Sequence, residues 1–371
     1  MRIGIDVSSL CSKWDGVGTY VKDMVDYLSK LECEDMFYLY SNKETAVPLP
    51  EGKYIVAYAD KCDNHLKWMF TQLPKRMKAD KLDVFWQPNY LMPIKVKGIK
   101  NVITVHDVSA YAYSQYSTSK ITLLHKLFLK PSCRKAQYIL AISKNGALEV
   151  SKHLKIKLDK IKMIYIGKKM FEHGLDVPMS RCIEYLKSVA LIEKEYLIFV
   201  GTLSPRKNAK VIVDAYFQYR KKGGKRKLVI AGKIASNCEV LRQIIERSSY
   251  KDQVLLTGYI SDEEKRILYY HAGAMVFPSR LEGFGFPLLE AMQAGIPVIT
   301  SNVSCMPEIA GDAALYLKDI DDSNELADLF FRVEKMSRED LEKLRQLGYK
   351  RVEYFDNLNY RQLTYEFLKS I

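Results

Sequence analysis

The sequence predicts an α/β protein built from two Rossmann-like, doubly wound parallel sheets facing a cleft. Three observations carry that reading. Short β-branched runs alternate with helical patterns through both halves of the chain, and two of these runs end in a glycine-containing loop before the next helix. Length is the third: 371 residues, 48% of them hydrophobic, suffice for two domains with their own cores.

In the first half, residues 3–7 form a strand, and Gly16 and Gly18 precede a helix whose apolar residues Val17, Val21, Met24, Val25 and Leu28 recur at helical spacing. Strands follow at 37–40, 54–57, 84–86, 102–105 and 138–142, with helices near 65–78, 119–135 and 144–153. The segment 167–194, with Gly174 and Pro178 and no strand period, reads as the linker. Beyond it the alternation resumes, with strands at 196–200, 227–231, 254–256, 274–277 and 297–300 separated by helices at 208–221, 238–248, 262–271 and 287–294. Helices at 323–336, 338–354 and 358–370 close the chain. The expected division is residues 1–174, residues 175–354, and a terminal segment 355–371 returning to the first domain after the Asp356-Asn357 break.

Composition excludes several classes. No apolar run approaches the roughly 20 residues needed to span a bilayer, and the start lacks the regions of a signal peptide, so a cytoplasmic protein is expected. Seven scattered cysteines without a C-x-x-C pair read as reduced thiols. The net charge of +13 is uneven: residues 1–175 carry 28 basic and 17 acidic side chains, the remainder 29 and 27. Such asymmetry suggests an anionic partner for the first half. Near 120–135, Lys120, Lys126, Lys130, Arg134 and Lys135 accompany Ile121, Leu124, Leu127 and Phe128, a mixture suited to the inner face of an anionic membrane and equally to a packed helix with a basic solvent face. No recognition helix, zinc finger or paired aromatic RNA-binding motif accompanies the charge, so nucleic acid is not an expected partner.

The most informative stretch is Glu282-Gly283-Phe284-Gly285-Phe286-Pro287, which follows a strand and opens a helix containing Glu290. Glycines and a proline at that turn leave backbone N–H groups for an anion such as a diphosphate, favoured by the helix dipole. Two carboxylates beside such a cradle repel phosphate, and are expected to accept hydrogen bonds from sugar and ribose hydroxyls. A second constellation, Gly201-Thr202-Leu203-Ser204-Pro205-Arg206-Lys207-Asn208, places two cations at a helix entry, against the dipole, where they can pair with a diphosphate. In the first half, His106 follows a strand's carboxyl end, and Asp15-Gly16-Val17-Gly18 stands in a loop. Val21 breaks the G-x-G-x-x-G pattern, which disfavours a nicotinamide dehydrogenase, and neither a P-loop, a serine elbow nor a clustered metal motif is present.

On these motifs, together with residues 83–90, Val105-His106-Asp107, Ala141-Ile142-Ser143 and Ser301 through Ala313, the sequence resembles the retaining glycosyltransferase group 1 family of the GT-B fold. It is similar in particular to members acting on bacterial surface polysaccharides as mannosyl- or rhamnosyltransferases. The resemblance implies a nucleotide sugar on the second domain and a glycan or lipid-linked acceptor on the first. By position, Glu282 would hold donor-sugar hydroxyls, Glu290 the ribose, and Arg206, Lys207 and the amides of Gly283, Phe284, Gly285 and Phe286 the diphosphate. His106 would contact the donor sugar near the reacting carbon, and Gly16 and Gly18 would let acceptor or diphosphate approach the backbone. No cofactor and no metal is implied beyond the nucleoside-diphosphate sugar as co-substrate. One departure is Thr202, where many members have arginine; Arg206 is the nearby cation for that charge. A sugar-nucleotide epimerase or phosphorylase of similar fold is the competing enzyme reading.

Overall fold

A computed structural model of the chain describes residues 1–11, 16–93, 95–112, 120–167 and 175–371. Asp15 and Gly174 lie outside the described residues, as do the side chains of Lys120 and Ile121. The chain divides into two compact units, Met1–Ile166 with Asn359–Ile371, and Gly167–Leu358.

The first unit runs β1 (Arg2–Asp6), α1 (Gly16–Ser29), β2 (Met36–Ser41), β3 (Ile55–Ala59), α2 (His65–Ala79), β4 (Val84–Gln87), β5 (Lys100–Val105), α3 (Ser109–Ala112), α4 (Lys120–Lys135), β6 (Tyr138–Ala141), α5 (Lys144–Leu154) and β7 (Ile161–Met163). Its seven parallel strands follow the order β3-β2-β1-β4-β5-β6-β7. The second unit runs α6 (Met179–Ser188), β8 (Tyr196–Val200), α7 (Ala209–Lys221), β9 (Lys227–Ala231), α8 (Glu239–Arg247), β10 (Val254–Gly258), α9 (Asp262–His271), β11 (Ala274–Phe277), α10 (Phe286–Gln293), β12 (Val298–Ser301), α11 (Met306–Ala310), β13 (Ala314–Leu317), α12 (Ser323–Glu334) and α13 (Arg338–Asp356). Its six parallel strands follow β10-β9-β8-β11-β12-β13.

Every residue of β4 and β11 is buried, as expected of parallel strands covered by helices on both faces. Trp68, Trp86, Phe37 and Phe85 fill the core of the first unit; Tyr196, Phe199, Tyr216 and Phe330 do so in the second. The last helix, α14 (Tyr360–Ser370), packs on the first unit: Tyr360 stacks on Tyr20 with ring centroids 5.9 Å apart, and Tyr365 donates to Asp35 at 2.6 Å. Asn359, at φ 40° in the left-handed region, turns the chain from α13 into α14.

Each expected strand and helix has its counterpart, with three differences. The edge strands β7 and β13, the short helices α3 and α11, and the helix α6, which occupies the segment read as linker, are additional. Gly16 and Gly18 lie within the first turn of α1 and do not precede it. The unit boundaries fall at 166/167 and 358/359, not at 174/175 and 354/355, because α13 continues to Asp356 and Phe355 packs on Phe284. Among the described residues no helix is long and apolar enough to cross a membrane.

Candidate functional site

In the second sheet the strand order reverses between β8 and β11. The crevice beyond the carboxyl ends of strands at such a reversal is where open α/β sheets bind ligands. Two loops meet there. One leaves β8 at Gly201, makes a 3-10 turn over Pro205–Lys207, and enters α7 through Asn208 at φ 60°. The other leaves β11 and enters α10 through Gly285, whose φ of 97° is a conformation that favours glycine. Backbone and side chain tie the loops together: the Arg280 N–H donates to the Arg206 carbonyl at 2.9 Å, and Arg206 Nη1 to the Leu281 carbonyl at 2.6 Å. Arg280 Nη2 also donates to Asn208 Oδ1 at 2.9 Å. Beneath them the backbones of β8 and β9 approach so closely that a Cβ on Gly232 would stand 2.1 Å from the Gly201 carbonyl oxygen.

This bonding brings Arg206, Lys207 and Glu282 into one cluster. Glu282 Oε1 lies 2.7 Å from Lys207 Nζ and 3.0 Å from Arg206 Nη1. Burial by itself would raise the Glu282 carboxyl, but Lys207 and Arg206 outweigh it and hold the group down to about 2. Lys207 shifts below its ordinary value, through burial first; attraction to Glu282 opposes that shift and the neighbouring Arg206 charge adds to it. Its ammonium also stands 4.3 Å from the centroid of the Phe277 ring. Two cations against one carboxylate leave the cluster with a net positive charge facing the reversal point. Oε1 of Glu282 is thus engaged by the two cations.

Glu290, on α10, is buried and has its own lysine, with Lys265 Nζ of α9 at 2.9 Å. Burial lowers Lys265, yet attraction to Glu290 prevails and its pKa is raised. Tyr269, one turn further along α9, is raised well above its ordinary range by burial and then by the Glu290 charge, so its phenol stays protonated. The N-terminus of α9 is fixed by a capping box between Ser261 and Glu264, which sets the register of Lys265 and Tyr269.

The turn from Glu282 to Phe286 is supported from behind. Ser304 Oγ accepts from the Glu282 N–H and donates to its carbonyl, both at 3.1 Å, and the buried Cys305 thiol donates to the carbonyls of Glu282 and Phe284 at 3.2 and 3.1 Å. Phe284 is buried against Phe286 and Phe355, so its contribution to a ligand is its backbone amide. Sequence reasoning missed Lys265, Tyr269, Ser304 and Cys305. Ser304 and Cys305 fall in the stretch that resembled the family, while nothing in sequence spacing marks Lys265 or Tyr269.

In the first unit, His106 follows β5 and is buried. Its Nε2 lies 2.8 Å from the Pro88 carbonyl, which can only accept, so Nε2 carries the proton. Proton transfer at His106 must use Nδ1 or break that bond. Gly16 is exposed at the start of α1, where a Cβ would meet open space; Gly18 is buried in the same turn. Among the described residues no group of three or more His, Cys, Asp or Glu side chains is arranged to hold a metal ion.

Comparisons place these features among known proteins. The family described as glycosyl transferases group 1 matches residues 184–351, and glycosyltransferase family 4 matches residues 14–167. The chain is 31% identical over 235 residues to O-antigen chain mannosyltransferase B of Escherichia coli, covering 62% of this chain and 60% of that protein. It is 28% identical over 232 residues to the O-antigen chain mannosyltransferase RfbU of Salmonella typhimurium, covering 60% of this chain and 58% of that one. The matches thus span about three fifths of these relatives' length. Among solved structures, Anabaena HepE in complex with UDP-glucose superposes with a TM-score of 0.74 at 16% identity, covering 100% of each chain. That likeness is one of fold, the GT-B fold.

Proposed function

We propose that the chain, whose residues 184–351 match the group 1 glycosyl transferases and residues 14–167 glycosyltransferase family 4, moves a hexose or deoxyhexose from a nucleoside-diphosphate sugar to a glycan or lipid-linked acceptor. The process is bacterial cell-surface polysaccharide synthesis, and the names of the relatives favour mannose. The observation that carries the reading is the Arg206–Lys207–Glu282 cluster, a net cation at the strand-order reversal beside the Gly285-led start of α10.

Transfer breaks the bond between the anomeric carbon and the diphosphate oxygen and forms one to the acceptor oxygen. Negative charge grows on the departing oxygen. Lys207, Arg206 and the N–H groups at the start of α10 stabilise it in place, so no metal is needed for that task. Glu282 keeps the two cations together and oriented, while Glu290, held by Lys265, accepts from ribose hydroxyls. The reaction retains anomeric configuration by front-face attack, the acceptor's proton passing to the leaving phosphate. His106 contacts the donor sugar, and Gly16 and Gly18 leave room beside the backbone.

The chain works at the inner face of the cell membrane as a peripheral protein. In support, α4 exposes Leu123 and Leu127, at 59% and 57%, beside the exposed Lys126, Arg134 and Lys135. Phe128, by contrast, is partly buried and packs against Phe70.

Incubation with a panel of nucleotide sugars tests the transfer. Nucleoside-diphosphate release stimulated by a lipid-linked saccharide is expected, since slow hydrolysis alone would show no such stimulation. Release that no acceptor accelerates, or no release from any donor, would overturn the proposal.

A further inference from the structure

β5 ends at Val105, so the ladder of the first sheet stops one residue short of His106. A histidine ring has a broad terminal torsion and takes a single orientation only where its neighbours impose one. The Pro88 carbonyl holds Nε2, but one hydrogen bond still lets the ring turn about the axis of that bond. Two tyrosines stand across it: Tyr20 of α1, with centroids 5.3 Å apart and planes at 83°, and Tyr90, at 6.2 Å and 69°. Tyr20 is the nearer and is buried. A near-perpendicular ring in contact blocks the rotation that the hydrogen bond allows.

Tyr20 is itself held by three elements. It meets Trp86 of β4 at 5.8 Å and 89°, and the Trp86 indole N–H donates at 2.9 Å to Thr104 Oγ1, two residues before His106 in β5. The Tyr20 hydroxyl stands beside those of Thr104 and Thr364, the latter in α14. Tyr360, the first residue of α14, stacks on the Tyr20 ring with planes at 23°. At that end α14 is fastened to α1: the Tyr360 hydroxyl donates to Asp23, Arg361 Nη1 lies 3.5 Å from Asp23 Oδ1, and Tyr27 donates to Gln362. Tyr20, Tyr360 and Thr364 are all buried, so a smaller side chain at position 360 leaves a void into which Tyr20 can tilt.

We propose that Tyr20 and Tyr360 are positioning residues for His106: α14 acts on the imidazole through Tyr20 and fixes the plane of the ring, while Pro88 fixes its Nε2. A supporting layer of this kind is what holds a reacting side chain in one geometry. The effect on transfer rests on the proposed contact between His106 and the donor sugar; the placement of the ring does not.

Nitrogen-15 spectra of the imidazoles in the full chain read the ring directly, and His106→Gln assigns its signals. In the unaltered protein a single Nε2–H tautomer is expected, with cross-relaxation between the rings of Tyr20 and His106. A mixture of tautomers, or no cross-relaxation, overturns the proposal whether or not any variant folds. Tyr360→Leu should mix the tautomers and speed exchange of the Nε2 proton with solvent at least tenfold. Tyr360→Phe, which keeps the stacked ring and loses only the bond to Asp23, should recover most of the original pattern. Tyr365→Leu, which loosens α14 further along, against Asp35 and Phe37, should not disturb it. An imidazole unmoved by Tyr360→Leu, or moved equally by Tyr365→Leu, overturns the proposal. In transfer assays Tyr360→Leu should lower kcat at least tenfold and leave the donor KM within twofold. A disturbed imidazole with unchanged kcat would leave the positioning standing and remove His106 from the transfer reaction.

Discussion

The ammonium of Lys207, in the loop after β8, lies 2.7 Å from Oε1 of Glu282, in the loop after β11. The contact joins the two loops across the strand-order reversal and couples the electrostatics of the candidate donor site to its stability. Both side chains are about nine-tenths buried, so each depends on the other for neutralisation.

Glu282→Gln should therefore abolish most transfer and also destabilise the second unit by about 3 kcal/mol, the scale for breaking a buried pair from one side. Adding Lys207→Met should restore part of that stability without restoring transfer, since it removes a cation left uncompensated. Urea unfolding and nucleoside-diphosphate release on the same preparations check both parts. A double variant less stable than the sum of the singles would contradict the pairing.

Acid should act through the same carboxyl. Its pKa in the fold, about 2, lies below the ordinary 4.5, so its stabilisation is complete above 4.5 and is lost as pH falls toward 2. The shift corresponds to roughly 3 kcal/mol. The stability gap between the unaltered protein and Glu282→Gln should thus narrow steadily between pH 4.5 and pH 2 in urea titrations. A gap independent of pH over that range would mean that the carboxyl is not the paired group.

Lys265 holds Glu290 at 2.9 Å, and its removal should free the carboxylate proposed to bind ribose. Lys265→Met is expected to raise the donor KM about tenfold, the cost of about 1.4 kcal/mol of binding, with a smaller effect on kcat. Lys265→Arg should recover much of that loss. Equal loss of kcat in both variants, with KM unchanged, would speak for a purely structural contact.

Leu123 and Leu127 on α4 should meet anionic lipid. Flotation with phosphatidylglycerol vesicles at low salt should carry the protein upward, and 0.5 M salt should release much of it, because surface attraction is screened at that ionic strength. Leu123→Ser with Leu127→Ser should reduce binding at either salt. Equal flotation with neutral and anionic vesicles would remove the electrostatic part of the reading.

Much of this architecture was legible from residue order because it rests on local chemistry. Residues 262–271 and 274–277 have in the structure the bounds that their patterns predict, and a Ser261–Glu264 capping box starts the first. The edge strands β7 and β13, of three and four residues, escaped notice because so short a run shows no period of its own. α6 is hidden because Gly174 and Pro178 beside it give the segment the composition of a linker.

At the site, residue order alone determined the candidates: the Gly-Phe-Gly-Phe-Pro turn, the two glutamates, the adjacent cations and His106 stand out by type and spacing within single segments. Tertiary structure decided how they are used. It paired Glu282 with Lys207 and Arg206, gave Glu290 the ammonium of Lys265, committed His106 Nε2 to Pro88, and set Tyr20 against both His106 and Tyr360. The physical reason is distance. A capping residue or an amphipathic stripe acts within a turn or two of its own backbone, whereas an ion pair or a stack of rings requires the fold to bring remote residues within a few ångströms.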